Sequence, residues 1–557
     1  MLRAFSVLAC AVLTALPAPA QPKAESVTSK GGVVVCVSPA AADAGLAVLK
    51  RDGTAVDAAV AVAFAMAVTW PEAGNVGGGG FMTVAPPGRE PVCVEFRETA
   101  PAAAKVDLFA DGKVTGLDHK AAGVPGTVRG LALAHKRFGR LPWRDVVMPA
   151  VELAEKGFPV DAVLAAGLNR ALADPKTTNA EFKRVYGKPD GSPWRAGDTC
   201  VLKDLGRTLR AIAEKGADAF YTGELADLLE REMKDGGGLI TRADLEAYKA
   251  NEREPIHTTF RGFDVYGPPP PSSGGVALAE MLNVLENFDL KKSGRWSPET
   301  NHTLIETMKR AYADRARYLG DPAFTTIPAE LTTKAYAKKL AAGIGPKKAT
   351  PSATLAPEIV LDKESDSTTH FSAIDKHGLA VSTTYTLENS YGNRVVVRGA
   401  GYLLNNQMTD FNPKPGLTTT AGQIGTKPNR VAPGKRMLSS MTPVVVLKDG
   451  KPVLITGSPG GRTIINTVLN VVLNVTEFEM SVPDAVSAPR FHHQWLPDAA
   501  NFEGAKQYPE LVKELKEMGH SVSEHRQGDA HSIGIDPKTG LRVGVADKRI
   551  GGKAVGE

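Results

Sequence analysis

From position 55 to 68 the chain reads Ala-Val-Asp-Ala-Ala-Val-Ala-Val-Ala-Phe-Ala-Met-Ala-Val, apolar on nearly every face of a helix. A helix without a polar face belongs inside a sandwich, covered on all sides. Thr54-Ala55-Val56-Asp57 has the form of a capping box and opens it. Upstream, the β-branched run 33–37 predicts a strand and 40–50 a helix, with Gly53 suited to a left-handed cap. Strands are expected at 81–85 and 92–96, followed by a mainly helical stretch from 130 to about 252. PPPPSSGG (268–275) interrupts that stretch, and helices resume through 318.

Between 345 and 367 periodicity gives way to Pro, Lys, Ser, Thr and Glu, which predicts a solvated, mobile joint. Strand patterns follow at 370–374, 380–386, 443–447 and 453–456, then a buried helix at 464–475. Late strands are expected at 532–535 and 542–546. No internal repeat is visible. The pattern is of a helical half and a strand-rich half meeting near 367.

Composition narrows the class. A chain of 557 residues, 43% hydrophobic and 23% charged, can bury a large core as several ordinary domains or one α/β body. Lys+Arg 66 against Asp+Glu 61 leaves +5, too small a surplus to suggest nucleic-acid binding. The four cysteines (Cys10, Cys36, Cys93, Cys200) form no CxxC pair, and His492-His493 are adjacent, without metal-ligand spacing. No metal and no cofactor is expected. Arg3, an apolar run over 4–16 and Pro17-Ala18-Pro19-Ala20 predict a signal peptide cut near Ala20, and hence a periplasmic or secreted protein. The run is too short to span a bilayer, and three cysteines would remain, enough for one disulfide at most.

Candidate chemistry clusters around the joint. Ser367-Thr368-Thr369-His370 leads directly into a strand. A threonine hydroxyl becomes a useful nucleophile when a base stands beside it, and the α-amino group of a chain-terminal threonine is such a base. A precursor could expose that amine by attacking its own preceding carbonyl. Taken alone, Thr368 and Thr369 also fit ordinary β-branched strand positions. In Thr456-Gly457-Ser458-Pro459-Gly460-Gly461, between a strand and a helix, the paired glycines can aim backbone N–H groups at an oxyanion; a tight turn is the alternative. No P-loop and no G-x-S-x-G is present, and Gly77 to Gly80 suit close backbone packing. Arg97 can grip a carboxylate or pair with Glu95 or Glu98, and Ser439 and Ser440 offer hydroxyl donors to the same anion. Glu388, Gln407 and Asp410 supply acceptors suited to an ammonium, or to loop capping.

Taken in order, GNVGGGGFM (74–82), FRETAP (96–101), GVPGTVRG (123–130), PPPSSGG (269–275), YADRARYLGDP (312–322), STTHFS (367–372), LLNNQMTDF (403–411), LSSM (438–441), GSPGG (457–461) and APRFHHQWLPD (488–498) resemble the γ-glutamyltranspeptidase family of N-terminal-nucleophile hydrolases. The resemblance implies an α/β (α+β) fold, a four-layer αββα sandwich made from one precursor. After the signal peptide at 1–20, it implies a large subunit at 21–367 and a small subunit at 368–557, cut between Ser367 and Thr368 and held together as a heterodimer. Thr368 matches the family nucleophile, Thr386 the threonine that supports it, and Gly460 and Gly461 the oxyanion glycines. Arg97, Ser439 and Ser440 match the binders of the substrate α-carboxylate; Glu388, Gln407 and Asp410 match the positions facing the α-amino group. The implied donors are glutathione and other γ-glutamyl compounds, with water or an amino acid or peptide as acceptor. Two departures stand out. Glu388 replaces a common Asn, and Ala421, in the lid-like segment 415–430, stands near the place of an aromatic gate. The alternatives are a glutaryl-type β-lactam acylase of the same superfamily and, in a different class, an uncut exported binding protein for γ-glutamyl peptides.

Overall fold

A computed structural model describes residues 25–359, 362–363, 368–414 and 416–557. The expected signal peptide and the Ser367–Thr368 bond therefore lie outside the described residues. Two seven-stranded antiparallel sheets stack face to face. The first runs Lys553–Gly556, Val33–Cys36, Thr369–Ile374, Ala380–Thr386, Gly79–Ala85, Val92–Glu95, Asn251–Arg253. The second runs Glu25–Ser29, Arg542–Ala546, Ser532–Ile535, Lys451–Thr456, Val444–Lys448, Phe263–Gly267, Ile256–Phe260.

Alternation along the strands builds the layers. Val33 and Val35 meet Val445, Ile455 and Ile533 between the sheets, whereas Val34 and Cys36 turn outward to a helical layer. That layer includes the helix Ala55–Thr69, which is buried at every position, as its sequence demands. Helices Gly274–Leu285, Pro298–Tyr318 and Thr463–Thr476 cover the other sheet. The result is the αββα sandwich, in which exchange of helical for sheet layers costs no exposed apolar face. Cys36, Cys93 and Cys200 are buried free thiols. No helix among the described residues is long and apolar enough to cross a membrane.

Three expectations need correction. The left-handed residue after the helix Pro39–Lys50 is Asp52 (φ 63°), while Gly53 is required because a Cβ there would press on Val48. Strand Asn251–Arg253 overlaps the end of the expected helical run, and Ile256–Phe260 and Phe263–Gly267 lie beyond it, where no strand was expected, so half of the strands in the two sheets precede position 367. The aromatic and β-branched residues of 256–266 carry that signal. Finally, the joint is anchored in its described parts, 345–359 and 362–363. Thr350 N–H donates to Glu306 (3.0 Å), Ser352 N–H to Asp498 (2.8 Å), and Arg317 grips Glu358 (2.6 Å). Up to 359 neighbouring side chains hold it, and further on Asp362–Lys363 pairs antiparallel with Gly422–Gln423.

Two buried polar groups carry unusual weight. Asp57 accepts from the N–H groups of Thr54 (2.9 Å), Arg140 (2.9 Å) and Leu141 (3.2 Å), so one carboxylate caps a helix and pins a distant loop. His492 Nδ1 accepts from Asn466 (2.8 Å) and its Nε2–H donates to Gln494 (3.0 Å). His493 Nδ1 accepts from Trp495 N–H (3.1 Å) while its Nε2–H faces Asp498 (3.2 Å). With both ring lone pairs engaged, neither histidine is presented to a metal.

Asp57→Ala is expected to destabilise the protein by roughly 1–3 kcal/mol, since a helix cap and two further backbone donors lose a buried acceptor; the urea midpoint of the purified variant measures it. Burial pushes the His492 pKa from 6.5 down to about 3. Between these values the unfolded chain binds the extra proton, so stability is complete above pH 6.5 and is lost as pH falls toward 3. In His492→Gln the melting temperature should fall less steeply over that window than in the unsubstituted protein, and parallel curves would refute the assignment.

Candidate active site

The hairpin of strands Thr369–Ile374 and Ala380–Thr386 fixes the centre of the site. Its register pairs Thr369 with Tyr385, so one step further brings Thr368 opposite Thr386. On the other side Thr386 pairs with Gly79. Asn75 donates to the Thr386 carbonyl (3.0 Å), and a Cβ at Gly78 would collide with that same oxygen. The glycine run is thus a close-packing device, as its sequence suggested. Thr386 Oγ1 accepts from Glu388 N–H (2.8 Å), which turns its own proton elsewhere. Glu388 itself is left-handed, with φ 80°.

Thr368 and Thr386 open onto a cavity of about 220 Å³. Its walls include Arg97, Glu388, Gln407, Asp410, Ser439, Ser440 and Gly461, so the structure gathers residues spread over most of the sequence. Gly461 and Arg462 line it; Gly460 stands one residue behind that wall. Gly460 (φ 124°) and Gly461 (φ 52°) both lie in the region that favours glycine, and the Gly460 carbonyl is tied to Thr463 Oγ1 (2.7 Å) at the start of the helix Thr463–Thr476. Ser458 braces the same loop. Its Oγ accepts from Asp529 N–H (3.0 Å) and donates to the Pro459 carbonyl (2.7 Å). Beneath the loop lies His370, whose ring would clash with a Cβ at Gly457. Burial drives the His370 pKa well below its ordinary value, so this ring is a neutral spacer between the strand Thr369–Ile374 and the glycine loop.

The charged wall is a connected chain. Arg97 is fully buried, which removes the surface ion-pair alternative. Its Nε donates to the Met437 carbonyl (3.2 Å), and its Nη2 bonds both the Leu438 carbonyl (3.3 Å) and Asp410. Nη1 faces Glu98 at 3.4 Å, whereas Glu95 pairs with Arg253 (2.7 Å) and Arg436 instead. Gln407 Nε2 donates to Asp410 (2.8 Å) and to Glu388 (2.9 Å), linking the two carboxylates. Burial pushes the Glu98 pKa up to about 7, against the opposing pull of Arg97.

Segment 416–430 covers one side. Ile424, Thr426 and Asn429 line the cavity, and Ala421 does not. Thr426 Oγ1 donates to the Ala316 carbonyl (2.6 Å) and Asn429 Nδ2 to the Asp410 carbonyl (2.6 Å), so the cover is tied to the site it covers. Pro415 lies outside the described residues. Sequence reading missed Arg315 and Arg462 as members of this site. The signal for Arg315 was a charged residue within a helical stretch that the fold buries from Thr300 to Ala316. Among the described residues no group of three or more His, Cys, Asp or Glu could hold a metal ion.

The profile of the family described as gamma-glutamyltranspeptidase matches residues 41–557. The glutathione hydrolase proenzyme of Escherichia coli (strain K12) is 45% identical over 531 residues, covering 94% of this chain and 91% of that protein. Among solved structures, cephalosporin acylase from Bacillus halodurans superposes with a TM-score of 0.85 at 27% identity, covering 98% of this chain and 99% of its own. A chain of Helicobacter pylori gamma-glutamyltranspeptidase, 40% identical with a TM-score of 0.55, covers 57% of this chain and 93% of its own. Sharing sequence with the one set and layer order with the other over nearly its whole length, the chain belongs to the gamma-glutamyltranspeptidase family.

Proposed function

We propose that the chain is a self-processing γ-glutamyltransferase and glutathione hydrolase, with Thr368 as nucleophile. Thr368 Oγ1 attacks the carbonyl carbon of Ser367, the peptide nitrogen leaves as the new α-amino group, and water hydrolyses the resulting ester. The products are a large subunit ending at 367 and a small subunit beginning at 368. The Helicobacter pylori chain supports this division, since nearly all of it matches little more than half of the present chain.

In the mature enzyme the Thr368 α-amine takes the Oγ1 proton while Oγ1 attacks the γ-carbonyl of the donor. The oxyanion is met by backbone N–H groups of the Gly460–Gly461 loop. Its collapse breaks the amide bond, the proton passes to the departing amine, and a γ-glutamyl ester remains on Thr368. Water, or the amine of an amino acid or peptide, then attacks that ester and returns the proton to the threonine. Thr386, whose hydroxyl proton is turned away from Glu388, supports Oγ1.

The observation that carries this reading is the pairing of Arg97 with Asp410 in the cavity wall. A γ-glutamyl head brings one carboxylate and one ammonium. The carboxylate replaces Asp410 on the guanidinium and takes the Ser439 and Ser440 hydroxyls. The ammonium replaces Arg97 on Asp410 and Glu388, held through Gln407. Arg97 and Asp410 each exchange one opposite partner for another, so binding leaves neither unpaired. A glutaryl chain lacks the ammonium and would strand Asp410 and Glu388. The acylase reading, favoured by the superposition on cephalosporin acylase, therefore fits the charges less well. A cut heterodimer, glutathione as donor, and export to the periplasm or medium complete the proposal.

The small fragment of the purified protein should begin Thr-Thr-His-Phe-Ser on N-terminal sequencing, and Thr368→Ala should remain one uncut, inactive chain. Efficient cleavage in that variant would rule out the nucleophile; an uncut wild type that binds γ-glutamyl peptides without turnover would point to the binding protein. γ-Glutamyl-p-nitroanilide should be turned over far faster than glutaryl-p-nitroanilide, and the reverse preference would establish the acylase. Arg97→Lys keeps the charge and loses the fork, so KM should rise roughly tenfold or more with a smaller change in kcat.

A further inference from the structure

One cation of the cavity wall has no part in the mechanism above. Arg315 lies in the last turn of the helix Pro298–Tyr318, 9% exposed, and lines the cavity. A guanidinium in that turn also suits the negative end of the helix dipole. Its Nε donates to Ser273 Oγ at 2.9 Å, and its Nη2 donates to Ser440 Oγ at 3.0 Å. Ser273 in turn gives its own proton to the Ser439 carbonyl (2.6 Å), an oxygen that also receives the Ser273 N–H (2.8 Å). One guanidinium thus joins the proline-serine turn to the Ser439–Ser440 pair.

Arginine can only donate. Ser440 Oγ is therefore the acceptor in this bond, and its proton is directed away from Arg315. Ser439 is set in the same way by a different donor, since its Oγ accepts from Met441 N–H at 3.1 Å. Both hydroxyls are held as acceptors from behind, which presents both as donors in front. A positive charge on the accepting side also polarises the O–H bond and strengthens what it donates. Arg97 needs that help, because its fork already serves two carbonyls and Asp410.

We propose that Arg315 is a positioning residue for substrate recognition, acting through Ser440 to aim its hydroxyl at the α-carboxylate of the γ-glutamyl group. The inference rests on the reading of Ser440 as a carboxylate binder. It assigns to the helix end a share in donor specificity and none in bond breaking.

The test compares full-length wild type, Arg315→Met, Ser440→Ala and the double variant, with cleavage followed on a denaturing gel. The substrates are γ-glutamyl-p-nitroanilide and γ-aminobutyryl-p-nitroanilide, which lacks the α-carboxylate. Arg315→Met should be cut normally and show KM for the γ-glutamyl substrate raised roughly tenfold, with kcat within about threefold. Its kcat/KM for the γ-aminobutyryl substrate should be unchanged. The double variant should be no worse than Ser440→Ala, and Arg315→Lys should recover part of the loss. An unchanged KM, an equal loss on both substrates, or multiplicative losses in the double variant would each overturn the role. If Arg315→Met is not cut, Arg315→Lys carries the comparison, with a severalfold rise in KM expected and an unchanged KM overturning it. A wild type that does not turn over γ-glutamyl-p-nitroanilide would instead defeat the functional reading itself.

Discussion

Everything in the site depends on one antiparallel pairing, between Thr369–Ile374 and Ala380–Thr386 at the middle of a seven-stranded sheet. The hairpin is flanked by Val33–Cys36 on one side and Gly79–Ala85 on the other, both from the N-terminal part of the chain. A slip of one residue would turn Phe371 and Ala373 out of the helical layer and His370 and Ser372 into it. Burial on both faces forbids that slip. Thr368 and Thr386 are therefore adjacent because a core of valine, phenylalanine and tyrosine has only one register, and the chemistry inherits its precision from that packing.

A second constraint is electrical. Arg97, Glu98, Asp410 and Glu388 lie within one small wall, more charge than a protein interior accepts without partners. Without substrate, Arg97 pairs with Asp410, and Gln407 donates to both Asp410 and Glu388. On the proposed reading, a ligand of one sign would take Arg97 or Asp410 from its partner without replacing it. Under that proposal, selectivity for a zwitterion would follow from the cost of the partner left over.

Much of this was legible in the sequence. The helix Ala55–Thr69 and its capping box, the strands on both sides of Thr368 and the strand–loop–helix around Gly460 all follow from periodicity and punctuation, since each is dictated by its own residues. The strands Ile256–Phe260 and Phe263–Gly267 were hidden by their helical neighbours, and they exist because the second sheet offers them a partner in Val444–Lys448. At the site, the types of residue were readable and their pairings were not. Arg97 bonded to Asp410, some 310 positions away, is a product of the tertiary fold alone. Arg315 was overlooked because one of three arginines in a helical run looks like a solvated residue until the helix proves buried.

The strands of each sheet come from both sides of position 367, which bears on what a cut there would leave. Inside one chain, the ends that must meet are tethered, and the entropy of bringing them together grows only slowly with the length between them. Two severed pieces would have to find each other in dilute solution, each presenting bare sheet edges and apolar layers in the meantime. The native assembly would then persist because escape is slow, with no easy road back once it has come apart. The uncut precursor would serve as its own template, used once and then discarded.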